Sequence, residues 1–167
     1  MRIAGIDPGT IHTGVGILEE KGKEYELIFA GTIHLGSEKP IAERLRQIYK
    51  ELIDTFRKWK PEVIALENVF YQKDFKAAVK VGEARAVAML AASECGISLV
   101  EYPPARVKQS ICANGRATKD QIQYMVRHLC HLSRPLSVDA ADAVAVALCH
   151  FHSMKFEQLK KETFSHV

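Results

Sequence analysis

Residues 2–18 read RIAGIDPGTIHTGVGIL, and no other stretch restricts the possible folds as much. An apolar run stops at an acid, Asp7, turns through Pro8, Gly9 and Thr10, and resumes as a second apolar run. Two such runs with so short a break between them form an antiparallel hairpin. Acids are seldom placed within buried strands, so Asp7 at the end of one needs a reason. Either it opens the turn, a position that Asp favours, or it holds something there.

The remaining pattern extends this hairpin into a layered fold. Strands are expected at 3–7, 13–20 and 25–35, followed by a helix from about Pro40 to Trp59 whose apolar residues Ile41, Leu45, Ile48, Leu52, Phe56 and Trp59 recur at spacings of three and four. A strand at 62–67 ends in a second acid, Glu67. An Ala-rich helix follows at 73–96, stopped by Gly96 as a C-terminal cap. After a strand at 97–102, short helices are expected at 104–113 and 118–131, the second capped by Thr118, and a last helix at 137–154. Three strands and then alternating helices and strands predict an α/β fold with a five-stranded mixed sheet flanked by helices. At 167 residues this is one domain, over 1–154, with a polar tail, 155–167, expected to be flexible.

Composition removes several classes of protein. No run approaches the ~18 apolar residues of a membrane span, and no basic segment leads into an apolar one at the N-terminus. A cytoplasmic protein with no membrane partner is expected. Cys95, Cys112, Cys130 and Cys149 lack the CxxC or CxxH spacing of a zinc site and are read as reduced packing thiols. The net charge of +3 is unevenly spread: residues 1–69 carry ten Lys and Arg against eleven Asp and Glu, 70–137 ten against five, and 138–167 three against four. The middle of the chain is the basic part, which is either a solvated surface or a face for an anionic partner.

The acids form the more telling set. Asp7 and Glu67 end the first and fourth strands, and they become neighbours if those strands pair. Asp139 and Asp142, three residues apart, share one face of the last helix. Taken singly, each has an ordinary explanation: a turn, a surface charge, or the attraction of a helix N-terminus for negative charge. Together they would repel one another unless a divalent cation intervened. Oxygen-only ligands select a hard ion such as Mg²⁺ or Mn²⁺. Two such ions side by side suit phosphodiester hydrolysis.

The segments GIDPGT and TGVGI, IALENVF, AVKVGEARAVA, EYPPARVKQSI and VDAADAVAVALCH resemble, in that order, the successive motifs of the RuvC Holliday junction resolvases. The resemblance runs from Met1 to about His152 and draws on separate segments with matching spacing. It implies a ribonuclease-H-like fold and a homodimeric, Mg²⁺-dependent endonuclease of recombination and DNA repair. Such an enzyme cuts four-way DNA junctions by paired symmetric nicks that leave 5′-phosphates. By motif, Asp7, Glu67, Asp139 and Asp142 become the catalytic, metal-holding acids, with two ions per site and Mn²⁺ able to replace Mg²⁺. Some family members carry His at the position of Asp139; this chain keeps Asp.

The resemblance also assigns the basic segment. Phe70 becomes a base-stacking residue at the junction centre, a contact worth ~1–3 kcal/mol; Tyr71 stays undecided. Lys108 and Lys119 lie along the bound strand, Lys119 beside a helix N-terminus. Arg116 joins them, and Lys73, Lys76, Lys80 and Arg85 are supporting candidates. The helix 73–96, with Gly82, Ala84, Ala86, Ala88 and Ala91, permits close helix approach; packing against its own sheet explains this equally well, and the resemblance assigns the region to dimer contacts. RuvA and RuvB follow as partners from the family alone. The competing readings are a ribonuclease-H-like nuclease acting on RNA, an actin-like ATP-binding module and a binding module without catalysis. A second Gly-rich phosphate loop is missing for the ATP-binding reading, and four retained acids argue against the last.

Overall fold

In the computed structural model, residues 1–22, 24–68 and 75–164 are described. Strands β1 (Arg2–Asp7), β2 (His12–Lys21) and β3 (Glu24–His34) lead into helix α1 (Ile41–Trp59). Then come β4 (Val63–Glu67), α2 (Phe75–Glu94), β5 (Ser98–Tyr102), α3 (Pro104–Cys112), α4 (Lys119–Leu129) and α5 (Val138–Phe164). The five strands form one sheet in the order β3-β2-β1-β4-β5. β1 pairs antiparallel with β2 and parallel with β4, and β5 runs parallel to β4. The expected mixed five-stranded sheet is therefore present, with β1 at its centre.

Alternation along the strands decides which face each residue serves. Ala4 and Ile6 of β1, Val15 and Ile17 of β2, and Ile64 and Leu66 of β4 pack with Ile48, Leu52 and Phe56 of α1 and Ala84, Ala88 and Ala91 of α2. Ile3, Leu18 and Ala65 face the other way, onto α5 and the short helices α3 and α4. Asp7 is two residues beyond Gly5, and Glu67 two beyond Ala65, so both acids fall on the α5 side.

On that side the sheet has a floor of glycine. A Cβ at Gly5 would fall onto the Ala143 carbonyl oxygen, and one at Gly14 onto the carbonyl oxygen of Asp139. α5 lies against the strands with buried Ala140, Ala143 and Ala147. Any side chain at Gly5 or Gly14 would lift the helix off the sheet.

Local signals behave as expected. Gly96 takes a left-handed φ of 65°, and the amide of Ile97 reaches back to the Ala92 carbonyl at 3.0 Å, closing α2. Thr118 caps α4 by accepting from the Gln121 amide, while the Gln121 side chain accepts from the Thr118 amide. One expectation fails: the last helix does not stop at 154 but continues to Phe164. The sequence KFEQLKKETF holds neither Gly nor Pro to break it. Lys155 fastens the first turn of the extension, 2.9 Å from Glu20 and donating to the Tyr25 hydroxyl at 3.0 Å. All four cysteines are free; Cys130 and Cys149 are buried, and burial pushes the Cys130 thiol up to about 11. No helix among the described residues is long and apolar enough to cross a membrane.

Candidate active site

Parallel pairing sets Ile6 of β1 opposite Leu66 of β4, so the next residues, Asp7 and Glu67, emerge side by side at the carboxyl edge of the sheet. Their side chains lie close enough for each to act on the other's charge. Burial and neighbouring like charge both disfavour the ionised forms. Burial first, and then the negative charge of Asp142, pushes Asp7 up to about 6. Burial and then the charge of Asp7 pushes Glu67 up to about 8. The pair titrates as one coupled unit.

α5 adds the other two acids because its first turn is laid over Gly14. Asp142 is raised by burial, against which Lys119 works. The charge of Asp139 acts on both Asp7 and Asp142. Lys119 is in contact, with its Nζ 3.2 Å from Asp142 Oδ2. Burial disfavours that ammonium, yet Asp142 holds its pKa above the usual lysine range. The capping box places Lys119 there, since it fixes the start of α4 next to the first turns of α5. Lys108, half-buried on α3, lies close enough to Asp142 to favour its charged form.

The four acids and the two lysines expected from the sequence thus converge. Arg116 instead sits exposed on the α3–α4 loop, and its amide donates to Asn114 Oδ1. Phe70, Tyr71 and Lys73 lie outside the described residues. The guanidinium of Arg85 is paired with Glu101 of β5. That ion pair joins α2 to the sheet edge, and nothing local in the sequence marks it.

Two supports escaped the sequence reading. Thr13, buried, donates to the Gly9 carbonyl at 2.7 Å and bridges the turn that follows Asp7. Arg44 of α1 reaches the same turn, donating to the Thr10 carbonyl at 3.0 Å. Both fix the backbone from which Asp7 projects. A Thr before a Gly and an Arg in an amphipathic helix carry no signal of that role.

Among the described residues no three acid, His or Cys side chains form a closed metal cage. Asp7 and Glu67 face one another, and Asp142 is turned to Lys119. The donor set nevertheless suits a hard divalent cation. It is all oxygen and half-buried, and burial followed by neighbouring like charge raises both Asp7 and Glu67.

A mixed five-stranded sheet with acids ending two adjacent parallel strands and a helix bringing two more defines a ribonuclease-H-like carboxylate nuclease. Comparison with known proteins narrows the class. The family description "Crossover junction endodeoxyribonuclease RuvC" matches residues 3–150. The proteins of that name from Pelotomaculum thermopropionicum and Koribacter versatilis are each 43% identical, over 96% and 92% of this chain and 99% and 93% of their own lengths. Among solved structures, Thermus thermophilus RuvC superposes with a TM-score of 0.83 at 32% identity, covering 94% of this chain and 97% of that one. The same protein in complex with Holliday junction substrate superposes at 0.84 and 30%, over 93% of this chain and 96% of that one. The chain belongs to the RuvC family of crossover junction endodeoxyribonucleases.

Proposed function

We propose that the protein acts in the cytoplasm as a homodimer that resolves four-way DNA junctions in recombination and repair, through paired, symmetric, Mg²⁺-dependent nicks leaving 5′-phosphates. The observation that carries the reading is the crowding of Asp7, Glu67 and Asp142 beside Lys119 at the carboxyl edge of the sheet. Thermus thermophilus RuvC, alike along nearly the whole chain, binds a Holliday junction substrate.

Asp7, Glu67, Asp139 and Asp142 would hold Mg²⁺, as two ions that Mn²⁺ can replace. When bound, the metal supplies activation of the attacking water and neutralisation of the leaving oxygen. The chain's own groups do the rest. At neutral pH the Glu67 carboxyl keeps its proton against Asp7 and releases it when positive charge enters. Asp142 is held in its charged form by Lys119. The Lys119 Nζ, exposed on its outer side at the start of α4, is placed to exchange that carboxylate for a phosphate oxygen. Lys108 and Arg116 continue the phosphate track, and Phe70 stacks on a base at the junction centre.

The small residues of α2 divide between the chain's own core and an open face. Ala84, Ala88 and Ala91 are buried against the chain's own core. The open face is instead Phe75, Val79, Gly82, Ala86 and Met89, spaced four, three, four and three, with Leu90 beside it. A Cβ on Gly82 would touch nothing within 4 Å. Such a seam fits a second copy of the same helix, and a two-fold protein suits paired cuts. RuvA and RuvB are partners on family grounds.

The test is a labelled mobile four-way junction incubated with Mg²⁺ or with EDTA, beside a linear duplex and a structured RNA. Paired symmetric nicks on the junction alone, abolished by EDTA, are expected. Hydrolysis of the RNA with no cut in the junction would overturn the substrate, and a monomer at micromolar concentration in sedimentation would overturn the assembly.

A further inference from the structure

Beyond the acids, the β2–β3 hairpin carries a second group of metal-ligating side chains. His12 and His34 are register partners across these strands. Val15 of β2, Ile33 of β3 and Leu35 just after it pack on the α1 face, and Thr13 of β2 is buried. His12 and His34 therefore project on the α5 side. Both rings are exposed and meet edge to face, with centroids 5.1 Å apart and planes at 78°. Their Nδ1 atoms are 3.1 Å apart.

That separation suits a shared hydrogen between neutral imidazoles, one donating and one accepting. It equally suits a shared ion. Two nitrogens each about 2.05 Å from one metal and 3.1 Å from each other subtend about 98° at it, between the octahedral and the tetrahedral angle. Small ring rotations, unhindered at exposed positions, would turn both lone pairs inward. Two imidazole nitrogens with no carboxylate between them select a borderline ion, Zn²⁺, Ni²⁺ or Cu²⁺, and give no advantage to Mg²⁺.

The position is separate from the carboxylate site but next to it. Gly14, which lies under the Asp139 carbonyl, is two residues from His12, or about 7 Å along the strand. On the neighbouring strand Thr32 is two residues before His34, and its hydroxyl lies 3.1 Å from the Ser137 hydroxyl at the entry to α5. Asp7 and Glu67 occupy the β1–β4 side of this helix start, and the imidazole pair occupies the β2–β3 side.

We propose that His12 and His34 form a two-imidazole site for a borderline divalent transition metal, distinct from the catalytic acids, with water completing the coordination. The experiment titrates the full-length, metal-stripped protein with Ni²⁺, and separately with Zn²⁺, by calorimetry in millimolar Mg²⁺, which saturates hard oxygen sites. Histidine ring resonances are followed in parallel. One equivalent is expected, with Ni²⁺ broadening the signals of His12 and His34 first. Affinity should fall by an order of magnitude or more in His12→Ala and in His34→Ala, and stay unchanged in Asp7→Asn. His128 and His131, which line a cavity at the end of α4 with Tyr124, Arg127 and Leu132, give the control. His128→Ala should bind as the parent does. Should either single variant fail to fold, His12→Gln and His34→Gln replace them. Uptake that survives loss of His12 or His34, that disappears with His128, or that never occurs would overturn the proposal.

Discussion

The two faces of the sheet are built on opposite principles. Toward α1 and α2 the strands present Ile6, Val15, Ile17, Ile64 and Leu66, which interlock with Ile48, Leu52 and Phe56 in a thick aliphatic layer. Toward α5 the same strands present Gly5, Gly14 and Gly16, and the helix answers mainly with alanine, so backbone nearly touches backbone. The first arrangement removes large apolar area from water and supplies stability at about 25 cal/mol per Å². The second buries less per residue but fixes the height of α5 over β1 closely, and that height sets where Asp139 and Asp142 meet Asp7. Both faces are packed cores, and the second also holds the acids together.

Asp7→Asn breaks the comparison most sharply. Junction cleavage should fall below detection while the melting temperature holds or rises, because a crowded charge has been removed. A wild-type cleavage rate would show that the acids are not the machinery. Gly5→Val should cost both properties at once, since its side chain must displace the Ala143 backbone. A loss of ~3 kcal/mol or more is expected in urea unfolding, together with loss of cleavage in whatever folds. Phe56→Ala is the counterpart on the other face. It should cost ~3–5 kcal/mol yet leave cleavage per folded molecule unchanged at low temperature; a selective loss of cleavage would mean that the faces are coupled.

The smallest effect is thermodynamic. In metal-free folded protein Asp7 and Glu67 titrate near 6 and 8 rather than near their ordinary 3.8 and 4.5. The folded chain therefore binds more protons than the unfolded chain between about pH 4 and pH 8. Its stability from these groups is complete below their unfolded values and is lost as pH rises through 6 and then 8. Mg²⁺ should restore what is lost, raising the melting temperature by ~5 °C at pH 8 and hardly at all at pH 5. An equal rise at both values would place the ion elsewhere.

Much of this was legible in the chain. Gly96 and Thr118 ended and began their helices as expected because caps depend on a few neighbouring residues. The acids at the ends of β1 and β4 were visible because an acid that terminates an apolar run breaks a period-two pattern. The continuation of α5 was missed because a polar helix carries no periodic stripe, and its tie from Lys155 to Glu20 spans most of the sequence. The pairing of Arg85 went unseen for a related reason: its partner, Glu101, is on another element.

By itself, then, the sequence determined the elements, their caps, the four acids and the family, all written in local pattern and in motif order. Only the tertiary structure decided that β1 lies beside β4 and that bare glycine lets α5 descend onto the sheet. It alone turned Lys119, rather than Arg116 or Arg85, toward the carboxylates. Those outcomes depend on backbone contact and burial between distant segments, and the energies that set them exist only once the layers have closed.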